Sequence, residues 1–192
     1  MFSKIIRIIL ILAMLVGLLM LWSKSGDWQN EARELATRPS PKFVAASKAV
    51  ISSLAITDLQ GKAVKLPGTG RYRIINYWAT WCGPCLMEMP LLDKFAQSQG
   101  DGGVMLIGIA LDEATEVKAY LKDNSPKYPQ FLEKAGKNDS SAHLGNERGI
   151  IPFSVLIGPD GRLLKLKRGE FADMNELQAF AKPPKSGYQS HN

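Results

Sequence analysis

An α/β fold, with a mixed central sheet held between helices, is predicted by three features of this 192-residue chain. Strand-like apolar runs alternate with helical ones from Tyr72 to Leu121. Val104 to Leu111 is continuously apolar, as in a strand covered on both faces. Gly158-Pro159-Asp160-Gly161 separates two further apolar runs and signals a closing hairpin. Composition agrees with a globular chain: 45% hydrophobic and 22% charged residues are ordinary usage. The net charge of +6 is spread along the chain without a basic run, which argues against a nucleic-acid partner.

The elements follow in order. Residues 1–7 carry Lys4 and Arg7, and residues 8–22 carry no charge. A full span needs roughly 20 apolar residues, but Lys4 and Arg7 can lay their stems along lipid and extend this one. A single-pass transmembrane signal-anchor is expected, although Ser23-Lys24-Ser25 also fits a cleavage site. The cations before the span and Asp27, Glu31 and Glu34 after it place the remainder outside the cytoplasm, in an oxidising compartment such as a bacterial periplasm. Residues 23–44 read as a polar juxtamembrane spacer in which Pro39 and Pro41 stop any helix. The domain proper is expected over 45–182, with a flexible tail over 183–192. It opens with an N-terminal β-hairpin, Ser53 to Thr57 and Ala63 to Leu66, with Gly61 in its turn. Tyr72 to Tyr77 suits an inner strand. A helix follows from about Cys82 to Ser98, its apolar face formed by Leu91, Leu92, Phe95 and Ala96. After the strand at Val104, Ala114 to Leu121 is helical. Phe153 to Ile157 and Leu163 to Lys167 form the closing hairpin, and Met174 to Ala181 is the last helix.

The two cysteines stand in Trp81-Cys82-Gly83-Pro84-Cys85, between a strand and a helix. At a helix N-terminus, unpaired backbone N–H groups and the helix dipole favour a thiolate at Cys82. Cys85, about one turn on, is close enough to resolve a mixed disulfide. Gly83 is expected to permit a tight turn, and Pro84 suits the first helical turn. A zinc site is short of ligands, since only His143 and His191 remain, and no metal is expected. A structural disulfide across so short a loop gains little from loop closure. The redox dithiol is the reading these residues favour, and it needs no cofactor.

Ile74-Ile75-Asn76-Tyr77-Trp78-Ala79-Thr80-Trp81-Cys82-Gly83-Pro84-Cys85, followed by Glu88-Met89-Pro90, resembles the thioredoxin superfamily. The likeness extends through Arg148-Gly149-Ile150-Ile151-Pro152-Phe153 and Gly158-Pro159-Asp160-Gly161. It is nearest to the membrane-anchored TlpA/ResA branch, DsbE-type cytochrome c maturation reductases included. The resemblance implies a thioredoxin-like fold with Cys82 attacking and Cys85 resolving. It implies that Pro152 is the cis-proline facing the pair, that the backbone of Ile151 pairs with an extended substrate peptide, and that Pro90 kinks the active-site helix. It also implies that Glu88 takes the proton of Cys85. From spacing alone, Glu88 can come near the Cys85 sulfur, three positions earlier on the helix, with a surface carboxylate complementing the helix dipole as the alternative. Asn76 stands where cytoplasmic thioredoxins place a buried aspartate; an amide cannot titrate, and its expected work is to satisfy buried backbone groups. Trp78 and Trp81 flank the site, Trp81 as an apolar contact surface unless both are core. His143 reads as a surface residue.

The expected activity is therefore disulfide reduction in exported proteins, such as apocytochrome c or copper-site assembly factors. The thioredoxin-like Gly83-Pro84 dipeptide favours a reductant. The resemblance also implies recharging through a membrane conduit of the DsbD/CcdA kind. The rivals are an exported thiol oxidase and a Sco-like copper-binding module, although the latter carries CxxxC. A peroxiredoxin-like peroxidase wants a threonine where Ala79 stands, and a pure scaffold would not need Cys82.

Overall fold

The computed structural model describes residues 31–184 together with Met14, Trp28 and Gln29. The anchor expected over residues 8–22 lies outside the described residues apart from Met14, as does the tail beyond residue 184. Among the described residues no helix is long and apolar enough to cross a membrane.

The chain divides into two units, Met1–Thr37 and Arg38–Asn192. In the first, residues 31–37 are helical, where only a spacer was expected. The Thr37 hydroxyl donates to the carbonyls of Arg33 and Glu34, both at 3.2 Å, and the helix ends two residues before Pro39.

The second unit opens with an unanticipated helix, α1 (Pro41–Ser52). Contrary to the expectation that both prolines stop a helix, Pro41 sits in the first turn, where its missing N–H has no partner to lose. Val44, Ser47 and Ile51, at helical spacing, turn inward. The Ser47 hydroxyl donates to the Val44 carbonyl at 2.7 Å and accepts the Leu163 N–H at 3.0 Å. The packed unit therefore begins ahead of residue 45, and Ser53, expected to start a strand, instead caps the end of α1 with its N–H on the Ala49 carbonyl. What remains is β1 (Ile56–Thr57), paired antiparallel with β2 (Ala63–Val64). The Asp58 carboxylate closes their turn by accepting the N–H groups of Gln60 and Lys62, each at 2.9 Å.

The remaining elements are β3 (Arg73–Trp78), α2 (Gly83–Ser98), β4 (Met105–Ala110), α3 (Ala114–Asp123), β5 (Gln130–Leu132), α4 (Ser140–His143), β6 (Phe153–Ile157), β7 (Leu163–Arg168) and α5 (Met174–Ala181). They form one mixed sheet ordered β2-β1-β5-β4-β3-β6-β7, parallel across β5-β4-β3 and antiparallel elsewhere. β5 and α4 escaped the sequence reading, being too short to show a period. All six residues of β3 are buried, as befits a strand with neighbours on both edges and cover on both faces.

Side chains alternate across that strand. Ile75 and Tyr77 join a core containing Ile107, Ile109, Val155 and Ile157, which Ile51 of α1 and Leu144 cover. Ile74 and Trp78 face the other way. Ile74 packs with Leu92 and Phe95 of α2 and with Leu177 and Phe180 of α5. Trp78 packs with Val117 and Leu121 of α3 and with both cysteines. Complete burial of a side chain such as Leu92 or Phe95 is worth about 1.5–3 kcal/mol, which seats α2 firmly on the sheet. The redox motif thus rides on a helix anchored across its length.

Candidate active site

β3 ends at Trp78, and the chain must turn within four residues to start α2. The Cys82 N–H donates to the Ala79 carbonyl at 3.1 Å to close that turn. A second tie holds the outside of the turn. Asp112, just past β4, accepts the Thr80 N–H at 2.8 Å and the Thr80 hydroxyl at 2.5 Å, and its other oxygen accepts the Glu113 N–H. Burial acts to raise the Asp112 carboxyl, but these three hydrogen bonds outweigh it and hold the group below its ordinary value. Sequence reasoning missed this pair. Thr80 and Asp112 are 32 positions apart, and only the parallel pairing of β3 with β4 brings them together.

Cys82 is the N-cap of α2, with extended backbone (φ −91°, ψ 96°), and its Sγ accepts the Cys85 N–H at 3.3 Å. Sulfur thus takes the place of the oxygen that usually satisfies a first-turn N–H, and the same donor would stabilise a thiolate there. Cys82 and Cys85 are joined by a disulfide, so the structure is of the oxidised form. Cys82 is 5% exposed and Cys85 1%. Pro84 lies in the first turn, as expected. Gly83 corrects the expectation made of it: its φ is not positive, and an added Cβ would meet nothing within 4 Å. The turn does not require glycine there. Pro90 stands inside α2 and is exposed.

The two tryptophans part company. Trp81 is 71% exposed beside the disulfide. Trp78 is core: its ring packs on Tyr120 with centroids 5.7 Å apart, and its Nε1–H donates to the Gln130 Oε1 at 3.0 Å. Gly108 makes room for that Gln130 side chain, since a Cβ there would fall 2.1 Å from Oε1.

The Ile151–Pro152 peptide bond is cis. Pro152 is buried, and Ile151 packs against the cluster that contains both cysteines. The structure therefore brings Ile151 to the cluster of Cys82 and Cys85, with Pro152 next to it in the chain. His143 is exposed at the end of α4 and takes no part.

Glu88 is only 4% exposed, which removes the surface-carboxylate alternative. It lies on the buried face of α2 with Cys85, three residues earlier. One oxygen accepts the Asn76 Nδ2–H at 2.8 Å and the other the Phe171 N–H at 3.0 Å. Burial pushes its carboxyl up to about 7; the hydrogen bonds from Phe171 and Asn76 oppose the rise, Glu170 adds to it and Lys167 opposes it. Asn76 does not satisfy backbone groups as expected. Its amide also donates to the Ser154 Oγ at 3.1 Å, while its Oδ1 is buried without a partner among the described residues. Ser154, on the antiparallel neighbour β6, is a member of this cluster that no sequence signal singles out.

A family model described as Redoxin matches residues 37–180. The chain is 28% identical over 172 residues to the thiol-disulfide oxidoreductase ResA of Bacillus thuringiensis subsp. konkukian, covering 88% of this chain and 90% of that protein. It is 26% identical over 125 residues to the sporulation thiol-disulfide oxidoreductase A of Bacillus subtilis, covering 63% and 73%. Among solved structures, a thioredoxin-related protein from Neisseria meningitidis serogroup B superposes with a TM-score of 0.59 at 31% identity, over 66% of this chain and 95% of that one. The fold is thioredoxin-like.

Proposed function

The chain belongs to the redoxin family, and from that premise we propose that this thiol–disulfide oxidoreductase reduces disulfides of exported proteins. The observation that carries the reading is the cysteine pair itself: Cys82 caps the helix and Cys85 is buried one turn on, with its N–H on the Cys82 sulfur. In the reduced enzyme the Cys82 thiolate attacks one sulfur of the target disulfide. The target's S–S bond breaks, a Cys82–target bond forms, and the departing thiolate takes a proton from solvent. Cys85 then attacks the Cys82 sulfur, releasing the second target thiol and leaving the disulfide seen here. Two electrons pass to the target, and an external dithiol must return two. The proton of Cys85 has to leave before its attack, and Glu88 is the buried carboxyl on its helix face that receives it. Trp81 and the backbone at Ile151 receive the target.

The reducing direction is supported by the Gly83-Pro84 dipeptide. Potentials in this class of dithiol run from about −270 mV for thioredoxin to about −120 mV for DsbA, which at ~1.4 kcal/mol per 30 mV separates reductants from oxidants by roughly 7 kcal/mol. A periplasmic site, an anchor over residues 8–22 and a DsbD/CcdA-like electron source complete the proposal. They are supported by the apolar run behind Lys4 and Arg7 and by the need for a reductant outside the cytoplasm.

Two measurements test it. The domain supplied with a dithiol should cleave the disulfides of insulin, and Cys82→Ser should fall to the uncatalysed rate. In cells, rapid alkylation should trap the pair mostly reduced; a pair found mostly as disulfide would make the protein an oxidase.

A further inference from the structure

The loop that carries Ile151 is restrained on both sides of that residue and left open at it. Before it, the Ile150 N–H donates to the Asn146 Oδ1 at 3.0 Å, and the Gly149 N–H donates to the Asn146 carbonyl at 2.9 Å. After it, the Pro152 carbonyl accepts the Gly169 N–H at 2.8 Å. Among the described residues, the N–H and C=O of Ile151 itself have no hydrogen-bond partner. A strand-forming substrate needs a backbone with both groups unpaired and fixed in direction.

Asn146 is 0% exposed, and its own hold is firm. Its Nδ2–H donates to the Ser141 Oγ at 3.2 Å and its backbone N–H to the Ser141 carbonyl at 2.9 Å. The Ser141 hydroxyl donates in turn to the Asp139 Oδ1 at 2.6 Å, and that oxygen caps α4 by accepting the Ala142 N–H. The next residue, Ser140, is bonded to Glu133 after β5 and to Tyr77 on β3. The side-chain amide therefore closes the turn from residue 146 to 150 with its oxygen and roots it in the sheet with its nitrogen. Gly149, at φ +63°, supplies the conformation this turn requires.

We infer that Asn146 is a positioning residue for substrate binding: it sets the direction in which Ile151 offers its backbone to an extended peptide disulfide. The inference rests on the reading that Ile151 pairs with substrate. Nothing in it involves the sulfur chemistry, so its effect belongs in KM for extended substrates and not in kcat.

The test uses reduced enzyme, a ten-residue peptide disulfide, the same peptide N-methylated at the amide that would meet Ile151, and a small aromatic disulfide. Wild type should prefer the unmethylated peptide. Asn146→Ala should raise KM for that peptide about tenfold, the scale of a lost positioning hydrogen bond, and erase the preference. Its kcat, and its rate with the small disulfide, should stay within about twofold of wild type. Asn146→Asp retains the acceptor for Ile150 and should recover part of the lost KM. If wild type treats the two peptides alike, pairing at Ile151 is wrong and the inference goes with it. If wild type prefers the unmethylated peptide and Asn146→Ala does so equally, the pairing stands and Asn146 has no part in it. Should the alanine variant not fold, hydrogen exchange of the wild-type Ile150 amide decides: protection supports the clamp, and exchange at the rate of an open loop overturns it.

Discussion

Asn76 and Tyr77 are neighbours on β3, and on opposite faces of the same sheet each looks toward a carboxyl, that of Glu88 buried and that of Glu133 half-buried. On one face, Asn76 bonds Glu88. On the other, the Tyr77 hydroxyl meets the Ser140 hydroxyl at 2.7 Å, and Ser140 bonds Glu133 through both its N–H and its Oγ. Burial raises both carboxyls, and two hydrogen bonds to each oppose the rise. The electrostatic causes are alike, yet the surroundings are not. Glu88 shares a helix face with Cys85, a group with a proton to give during turnover. Glu133 ends a chain of two hydroxyls that titrate far above neutrality or not at all. On the proposed mechanism, a raised carboxyl becomes a catalytic base only where a proton donor of the reaction stands beside it; elsewhere it is a structural acceptor.

The sharpest way to break this contrast is Glu88→Gln. A glutamine cannot take the Cys85 proton, and loss of a positioned base lowers rates by about 100-fold or more. Resolution of the mixed disulfide should slow on that scale in a single-turnover thiol assay, and the rise in rate near pH 7 should vanish. Stability carries the same signature with a definite sign. A carboxyl near 7 when folded and near 4.5 when unfolded binds more protons in the folded state across that window, so wild type loses stability as pH rises through it. The loss is on the order of 3 kcal/mol and should be missing from the variant. Equal pH slopes in the two proteins would show that Glu88 is already ionised in the fold.

Asn76→Asp should act less strongly and in the same place. Asn76 Nδ2 lies 2.8 Å from the Glu88 oxygen, and a carboxylate put there must share a proton with Glu88. The pair then titrates as a unit, with its upper step above that of Glu88 alone. The acid limb of the pH–rate profile should move up by about one unit, with roughly a tenfold loss at neutrality. An unmoved profile would mean that Asn76 does not tune Glu88.

These residues also show what the sequence could disclose. The cysteine pair and the strand that precedes it were legible because the redox chemistry needs that spacing at a strand-to-helix turn. The helix Met174–Ala181 and the hairpin around Gly158 were legible from periodicity and turn chemistry. The proton cluster was half legible: Glu88 and Asn76 could be singled out, but Ser154 and the Phe171 N–H are 78 and 83 positions away from their partners; sheet register brings Ser154 to Asn76, and Phe171 reaches Glu88 from the connection between β7 and α5. Thr80–Asp112 was hidden by the same dependence on strand pairing, whereas the Asn146 clamp joins residues only four and five positions apart and was hidden because its turn shows no periodicity. α1 was lost to an over-strict reading of proline, which ends one helix here and begins the next.

The smallest effect is expected at Glu133, and it tests the structural side of the contrast. The Ser140 hydroxyl has one proton, which it gives to Glu133, so its lone pair accepts the proton of Tyr77. Glu133→Gln breaks that order, because the new amide offers an N–H where an acceptor stood. If the amide donates to Ser140, the serine proton turns toward Tyr77, and the phenol proton is left without an acceptor at a site with 0% exposure. An unmet buried donor costs about 1–3 kcal/mol. Denaturant melts should show a loss on that scale, shrinking as pH rises, since wild type alone must ionise a carboxyl that burial holds above its ordinary value. Insulin reduction by the folded variant should stay within about twofold of wild type, as no reacting atom is touched. A loss of turnover comparable to that of Glu88→Gln would mean that both faces of β3 serve the chemistry, and that burial, not proximity to a thiol, is what makes a carboxyl catalytic here.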